Sequence, residues 1–302
     1  MEQPYEVLII GGSYAGLSAA LCLGRALRRV LVLDSGTPCN RFAPHSHNFL
    51  THDGNAPGEV ATTGREQIQA HYDTVEFVDA RATDVAGQDG EFTITTDSGT
   101  SYRAQKLLFA TGLADAYPDL PGFDACWGKS VIHCPYCHGY EYRGQPTAIL
   151  MNSEHSGYMS RLIRNWTDEL TLLTNGPAEC DVAAVERCAV TVDERPLRRL
   201  VHQNGQLQQI EFAEGAPLTV AALYLHPHVS QQCPLPEQLG CTLGEHGHLQ
   251  IDDHFATTVT GVYAAGDCTT MFRSVANAVR GGNMAAAMIN HALVDSHWAA
   301  AQ

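Results

Sequence analysis

Runs and alternations of apolar residues divide the chain into short strands and amphipathic helices. The unbroken apolar stretch at 7–10 predicts a buried strand, and a glycine turn then leads into a helical run over 14–27. A second apolar strand at 30–33 ends on Asp34, completing a β-α-β unit. Pro57 suits the first turn of a helix running to 71, and the alternation over 91–96 before Ser98-Gly99 predicts a hairpin strand. A strand at 107–110 closes this segment on Thr111 and Gly112.

Pro118 and Pro121 stiffen the stretch 117–122 and disfavour helix before them, which predicts a hinge. Beyond it, strands at 147–150 and 170–173 flank a helix at 157–166, and glycines at 240, 244 and 247 punctuate a return near 238–248. A strand at 261–264 then meets Gly266-Asp267 and a small-residue helix to about 290. The predicted fold class is α/β with two Rossmann-like three-layer domains. Residues 1–116 and 245–302 form one domain from both chain ends, and 117–244 form a domain inserted between them.

Composition narrows the partners. With 302 residues and 44% hydrophobic content, the chain is long enough for two cores. A formal net charge of -15 repels nucleic-acid phosphates and anionic membranes, which leaves small molecules or proteins as expected partners. The acidic, short-apolar N-terminus with Glu2 predicts neither a signal peptide nor a spanning helix, hence a cytoplasmic location. In a reducing cytosol the ten cysteines predict no disulfide framework, and the 15 histidines are scattered singly, so no metal site is predicted.

Two segments have the form of nucleotide-binding turns. Gly11, Gly12, Ser13, Tyr14, Ala15 and Gly16 join a strand to a helix, where backbone N–H groups and the positive helix end hold a pyrophosphate. Ser13 stands where the fingerprint has its second glycine, and Asp34 stands where a carboxylate accepts from an adenosine ribose. Downstream, Gly261 to Asp267 deliver a glycine and an acid to a second turn. With Thr111 and Gly112, these segments resemble the low-molecular-weight thioredoxin reductase family of pyridine nucleotide-disulfide oxidoreductases, over nearly the whole chain. The resemblance implies FAD and a homodimer. It places Gly11, Gly12, Ser13, Gly16 and Asp34 at the adenosine side, with Thr111, Gly112 and Gly266 among the binding elements. Asp267 would lie at the ribityl chain, and Ser274, Val275 and Ala276 would open a helix near the flavin ring.

The chemistry concentrates at His133, Cys134, Pro135, Tyr136, Cys137, His138, Gly139, Tyr140 and Glu141. A two-residue spacer lets the sulfurs close a small ring, and flanking histidines can hold a proton and tune the thiolate. Other readings of the residues stay open. Cys-x-x-Cys-His also fits c-type haem attachment, which requires export. Zinc would need two more ligands, for which Cys126 and His133 are candidates, and the cysteines could be inert core. By resemblance, Cys137 faces the flavin and Cys134 exchanges with substrate. Thioredoxin reductases carry an acid after the second cysteine. His138 stands there instead, which looks more like the gliotoxin- and holomycin-type dithiol oxidase branch and marks His138 as the general acid/base. The loop from Arg41 to Leu50, with two histidines and two phenylalanines, suits either a wall beside the flavin or a surface loop with incidental histidines.

A second dinucleotide fingerprint is expected after the strand 147–150, yet Met151, Asn152, Ser153, Glu154, His155 and Ser156 precede a lone Gly157. No arginine follows the next strand, where Thr174 to Pro177 stand, so NAD(P)H binding is left open and electrons are expected to enter from a dithiol. The predicted function is FAD-dependent dithiol–disulfide exchange, oxidising a small dithiol or reduced protein thiol with oxygen as acceptor. The alternatives are a reductase of thioredoxin-like partners driven by NADPH, NADH or ferredoxin, and a non-enzymatic flavin redox sensor.

Overall fold

The computed structural model describes residues 3–300; Met1 and Glu2, on which the N-terminal reading partly rests, lie outside the described residues. The elements run in chain order as β1 (Tyr5–Ile10), α1 (Tyr14–Arg25), β2 (Val30–Asp34), α2 (Pro57–His71), β3 (Val75–Asp79), β4 (Ala82–Gln88), β5 (Glu91–Thr96), β6 (Ser101–Phe109) and β7 (Leu113–Ala116). There follow α3 (Phe123–Cys126), β8 (Val131–Ile132), α4 (Pro135–His138), β9 (Thr147–Leu150), α5 (Ser156–Ile163), β10 (Leu170–Leu173), α6 (Val182–Glu186), β11 (Thr191–Asp193), β12 (Leu197–Gln203), β13 (Gln206–Phe212), β14 (Leu218–Thr219) and β15 (Ala222–Leu225). The chain ends with β16 (His228–Gln231), α7 (Leu235–Gln238), β17 (Val262–Ala264) and α8 (Val275–Ala300). Among the described residues no helix is long and apolar enough to cross a membrane.

Two compact units result. The first comprises residues 1–41, 58–115 and 229–302; the second comprises 42–57 and 116–228. Two boundaries differ from the sequence-based expectation. The stretch 42–57 packs with the second unit, and the chain re-enters the first unit at Val229 rather than at 245, because β16 pairs with β7 where the chain left. Hydrophobic periodicity sees neither event, since both are pairings between segments distant in sequence.

In the first unit a sheet ordered β3-β2-β1-β6-β5-β4, with β17 also on β6, is parallel in β3, β2, β1, β6 and β17 and antiparallel in the β4-β5-β6 meander. Its central strands are apolar on both faces, as a covered parallel sheet requires. One face packs Val7, Ile9, Val30 and Val32 against Leu17, Leu23, Ile68, Ile289 and Leu293 of the helices. The other buries Leu8, Ile10, Leu31 and Leu33 with Phe92, Ile94, Leu235 and Cys268. The second unit has an all-parallel sheet ordered β11-β10-β9-β15-β8 and an antiparallel β12-β13-β14 sheet. Both units thus carry the predicted Rossmann-like plan.

The first unit is closed by α8 lying on α1, where the Ser18 hydroxyl donates to the Val279 carbonyl at 2.7 Å. A Cβ at Gly282 would lie 2.0 Å from the Ala15 carbonyl oxygen, whereas one at Gly281 would meet nothing nearer than the Gly266 nitrogen at 3.5 Å. Gly282→Ala must therefore push the helices apart, lowering stability by about 1–3 kcal/mol. Gly281→Ala instead gains helix propensity of up to ~1 kcal/mol. Urea denaturation followed by circular dichroism should rank the midpoints Gly281→Ala ≥ wild type > Gly282→Ala; an unchanged midpoint for Gly282→Ala would contradict the close approach.

Candidate functional site

The first unit places its candidate residues along one line of turns. β1 delivers Gly11 with φ +109°, and a Cβ on Gly16 would sit 1.8 Å from the Gly11 carbonyl, so only glycine lets α1 start this close to β1. A Cβ on Gly12 would fall 2.7 Å from the Asp34 carboxylate, which brings the acid at the end of β2 against the glycine turn. Ser13 caps α1 in an extended conformation, φ −89°, that any residue adopts, which explains how a serine occupies a fingerprint glycine position. Its side chain makes no capping hydrogen bond. Asp34 Oδ1 accepts from the Gly36 amide at 3.0 Å, a local turn that fixes the carboxylate.

Farther along, Thr111 Oγ1 is buried beside the Cys268 thiol without a hydrogen-bond partner of standard geometry, and the Gly112 turn faces open space. Gly266 adopts φ 84°, ψ −159°, a conformation reserved for glycine, and so directs Asp267 inward. The buried Asp267 carboxylate lies 3.4 Å from Arg273 Nε and 3.6 Å from Cys39 Sγ, while Arg273 also forks onto Asp115 at 2.5 and 3.2 Å. Burial raises the Asp267 pKa against the opposing pull of Arg273. Burial first, then the Asp267 carboxylate, pushes the Cys39 thiol up to about 11. Burial likewise pushes Cys268 up to about 12, so both are neutral, unreactive thiols. The Asp267–Cys39 contact was invisible in the sequence, because 228 residues separate the two.

Ser274 begins α8, its hydroxyl accepting from the Asn277 amide at 3.1 Å, and Val275 and Ala276 form the first turn. A cavity of about 350 Å³ opens beside Gly266, Thr269, Thr270, Asn277 and Arg280, so this helix start and the Gly266 turn border open space. Together, the glycine cradle at α1, the carboxylates of Asp34 and Asp267, the buried Thr111 hydroxyl and the helix start fit an extended dinucleotide such as FAD.

In the second unit Cys134 and Cys137 are joined by a disulfide, Cα atoms 5.3 Å apart. Cys134 caps α4, Pro135 occupies its first position, and the Cys137 and His138 amides both bond the Cys134 carbonyl. One helical turn therefore closes the ring. Gly139 packs edge to edge with Trp166: a Cβ there would be 2.8 Å from the indole nitrogen. His133 stacks on Trp127 with centroids 6.0 Å apart. His138 is half-buried, yet both ring nitrogens are shielded from water and neither has a hydrogen-bond partner. Burial holds its pKa below the ordinary histidine value; Glu141 opposes and His47 reinforces that shift. His47 belongs to the Arg41–Leu50 loop, which packs in the disulfide's own unit through the 42–57 stretch. No group of His, Cys, Asp or Glu suited to a metal occurs among the described residues.

The turn after β9 is built from side chains. Asn152 Nδ2 donates to the Pro177 carbonyl at 2.9 Å, and its Oδ1 accepts from the Glu179 amide at 2.7 Å. The Ser153 amide donates to Ser156 Oγ and the His155 amide to Ser153 Oγ. These amides, which a glycine turn would present to a pyrophosphate, are engaged within the loop. After β10, Thr174 Oγ1 turns back onto the Gly176 carbonyl at 2.6 Å, and Arg164 on the intervening helix pairs with Asp168 at 3.0 Å.

Comparison with known proteins agrees with this arrangement. The pyridine nucleotide-disulphide oxidoreductase family matches residues 5–153 and 201–282. A thioredoxin reductase, tcpT, of Claviceps purpurea is 32% identical, covering 96% of this chain and 94% of the relative. The structure of HlmI is similar with a TM-score of 0.94 at 35% identity, covering 100% of this chain and 96% of that one. That of a putative thioredoxin reductase TrxB from Bacillus anthracis has a TM-score of 0.92 at 33% identity, covering 97% and 99%. Two Rossmann-like units, a glycine turn closely packed between β1 and α1, and a closed Cys-x-x-Cys ring thus accompany a match over most of the chain, and the protein belongs to the pyridine nucleotide-disulphide oxidoreductase family as a thioredoxin reductase-like enzyme.

Proposed function

We propose that this enzyme is an FAD-dependent dithiol oxidase that closes a disulfide in a small dithiol, with dioxygen as final acceptor. The observation that carries the proposal is the site at Cys134, Cys137 and His138: a partly exposed disulfide beside a half-buried, neutral imidazole whose ring nitrogens are shielded from water, where thioredoxin reductases have an acid. A homodimer remains the expected assembly by family resemblance.

In this reading one substrate thiol gives its proton to His138, and the thiolate attacks Cys134 Sγ, releasing Cys137 as thiolate. The second substrate thiol then displaces Cys134, so the substrate becomes a disulfide and the enzyme a dithiol. A neutral imidazole at neutral pH is the form that accepts a proton, and the lowered His138 pKa keeps it so. FAD, when bound, supplies the two-electron acceptor that regenerates the enzyme disulfide and passes electrons to dioxygen. Gly11, Gly12, Ser13, Gly16 and Asp34 would hold its adenosine side, Thr111, Gly112, Gly266 and Asp267 its middle, and Ser274, Val275 and Ala276 the ring end.

A reductase driven by NADPH is the second reading, favoured by the names of several relatives. Against it stands the self-satisfied loop of Asn152, Ser153 and Ser156, together with Thr174, where a nicotinamide dinucleotide would need free amides and positive charge.

The protein should purify yellow with non-covalent FAD, and Gly16→Val should lose the colour and fail to regain it on reconstitution, because any Cβ there meets the Gly11 carbonyl. A colourless wild-type protein that takes up no FAD would refute the cofactor assignment. With dithiothreitol as substrate, Cys134→Ser should abolish turnover while retaining flavin, and His138→Ala should slow turnover on the order of a hundredfold near neutral pH. Unchanged rates for His138→Ala would leave that side chain only a structural role. Under anaerobic conditions dithiothreitol should bleach the flavin quickly and air should restore it with formation of peroxide, while NADPH acts slowly or not at all. Rapid stoichiometric bleaching by micromolar NADPH would promote the reductase.

A further inference from the structure

The Asp267 carboxylate is held by one of its two oxygens. Arg273 Nε donates to Oδ2 at 3.4 Å and the Cys39 thiol reaches the same oxygen at 3.6 Å, whereas Oδ1 accepts no hydrogen bond among the described residues. The guanidinium is itself fixed: Nη1 and Nη2 fork onto Asp115 Oδ1 and Oδ2 at 2.5 and 3.2 Å. Local bonds shape the six-residue step from Asp267 to Arg273. The Thr269 amide donates to the Gly266 carbonyl and the Arg273 amide to the Met271 carbonyl, each at 3.0 Å. The Phe272 amide donates to Thr270 Oγ1 at 3.1 Å, and Asn277 Nδ2 in the first turn of α8 donates to the Phe272 carbonyl at 3.0 Å. The side chains of Asp115, Arg273 and Asp267 are 9, 11 and 17% exposed, so Asp267 is the open end of a buried row.

We propose that Arg273, clamped by Asp115, is a positioning residue that keeps Asp267 an ionised acceptor with Oδ1 presented to a hydroxyl of the flavin's polyol chain. This rests on the FAD reading of the site. A planar guanidinium suits the place because its fork occupies Asp115 in a fixed plane while Nε is directed at a second carboxylate; a lysine ammonium is a point charge without that geometry. The groups facing Asp267 come from every element around it. Arg273 attracts its charge and Asp115 on β7 repels it. Burial, then Asp267, pushes the Cys39 thiol up to about 11, so it is a neutral donor. Burial holds the His248 pKa below the ordinary histidine value, so that ring is neutral at neutral pH. Burial also raises the Asp267 pKa, and a raised carboxyl is an anion above its pKa and loses its charge as pH falls through it. A polyol hydroxyl donates to that anion with no proton transferred.

The two charged neighbours act in opposite senses, which gives a readout that a merely structural role would not produce. The FAD affinity of the yellow holoenzyme, read from the flavin retained on serial dilution across the acid and neutral range, should show an acid limb where Asp267 gains its proton. Arg273→Met should displace that limb to higher pH, by roughly one unit or more, and Asp115→Asn should displace it to lower pH. Arg273→Lys, which keeps the charge and loses the fork, should leave the limb near its wild-type position and weaken the plateau affinity on the order of tenfold. Asp267→Asn should bind FAD more weakly with no limb, and adding Asp115→Asn to it should move nothing, which separates Asp267 from His248 as the titrating group. Circular dichroism melts check that each variant folds, and where Arg273→Met does not, Asp115→Asn and Asp267→Asn decide the outcome. A limb that stays put in Asp115→Asn, moves the same way in Arg273→Met, or survives in Asp267→Asn overturns the clamp and leaves the FAD reading standing. A wild-type protein that takes up no FAD overturns that reading and the clamp with it.

Discussion

Backbone must touch backbone where α1 leaves β1, and the first unit is organised around that contact. The Gly16 Cα faces the Gly11 carbonyl with no room for a methyl group, Gly12 lies against the Asp34 carboxylate, and Gly282 lets α8 settle on the Ala15 carbonyl. These approaches pull β1, β2 and the C-terminal helix into one cradle although hundreds of residues separate its ends. The positive end of the helix dipole at the start of α1 then faces this cradle, as anion binding requires. Ser13 fits because its position needs an ordinary extended backbone, not a glycine-only one.

The second unit repeats the parallel plan and uses it differently. Where the first unit leaves its turn bare, the turn after β9 carries Asn152, Ser153 and Ser156, whose side chains consume the local amides and tie the loop to Pro177 and Glu179. A hydrogen-bonding group satisfied within the protein is no longer available to a ligand without an exchange that gains little. The unit's chemistry lies instead in α4, where proline and a helical turn close the disulfide ring and aim His138 inward.

Electrostatics divide the cysteines into classes. Cys39 and Cys268 lie in dry surroundings, Cys39 next to a buried carboxylate, which holds their thiols neutral. The Cys134–Cys137 pair combines partial exposure with an imidazole next to it in the chain. Environment rather than residue type separates these two thiols from the disulfide pair.

Much of this was legible along the chain. The apolar runs at 7–10, 30–33, 147–150 and 170–173 became strands at those positions, and helix α2 spans Pro57–His71 as its proline start predicts. Local patterns suffice there because strand burial, turn glycines and a two-residue cysteine spacer are properties of neighbouring residues. The sequence alone thus determined the α/β class, the glycine turns and the disulfide candidate. Tertiary structure decided what distant segments do to one another: that residues 42–57 join the disulfide's unit and set His47 on Glu141, that Asp267 meets Cys39 and Arg273, and that the His138 nitrogens lose their contact with water. Burial and long-range charge depend on which surfaces fold together, and no periodicity within the chain encodes that.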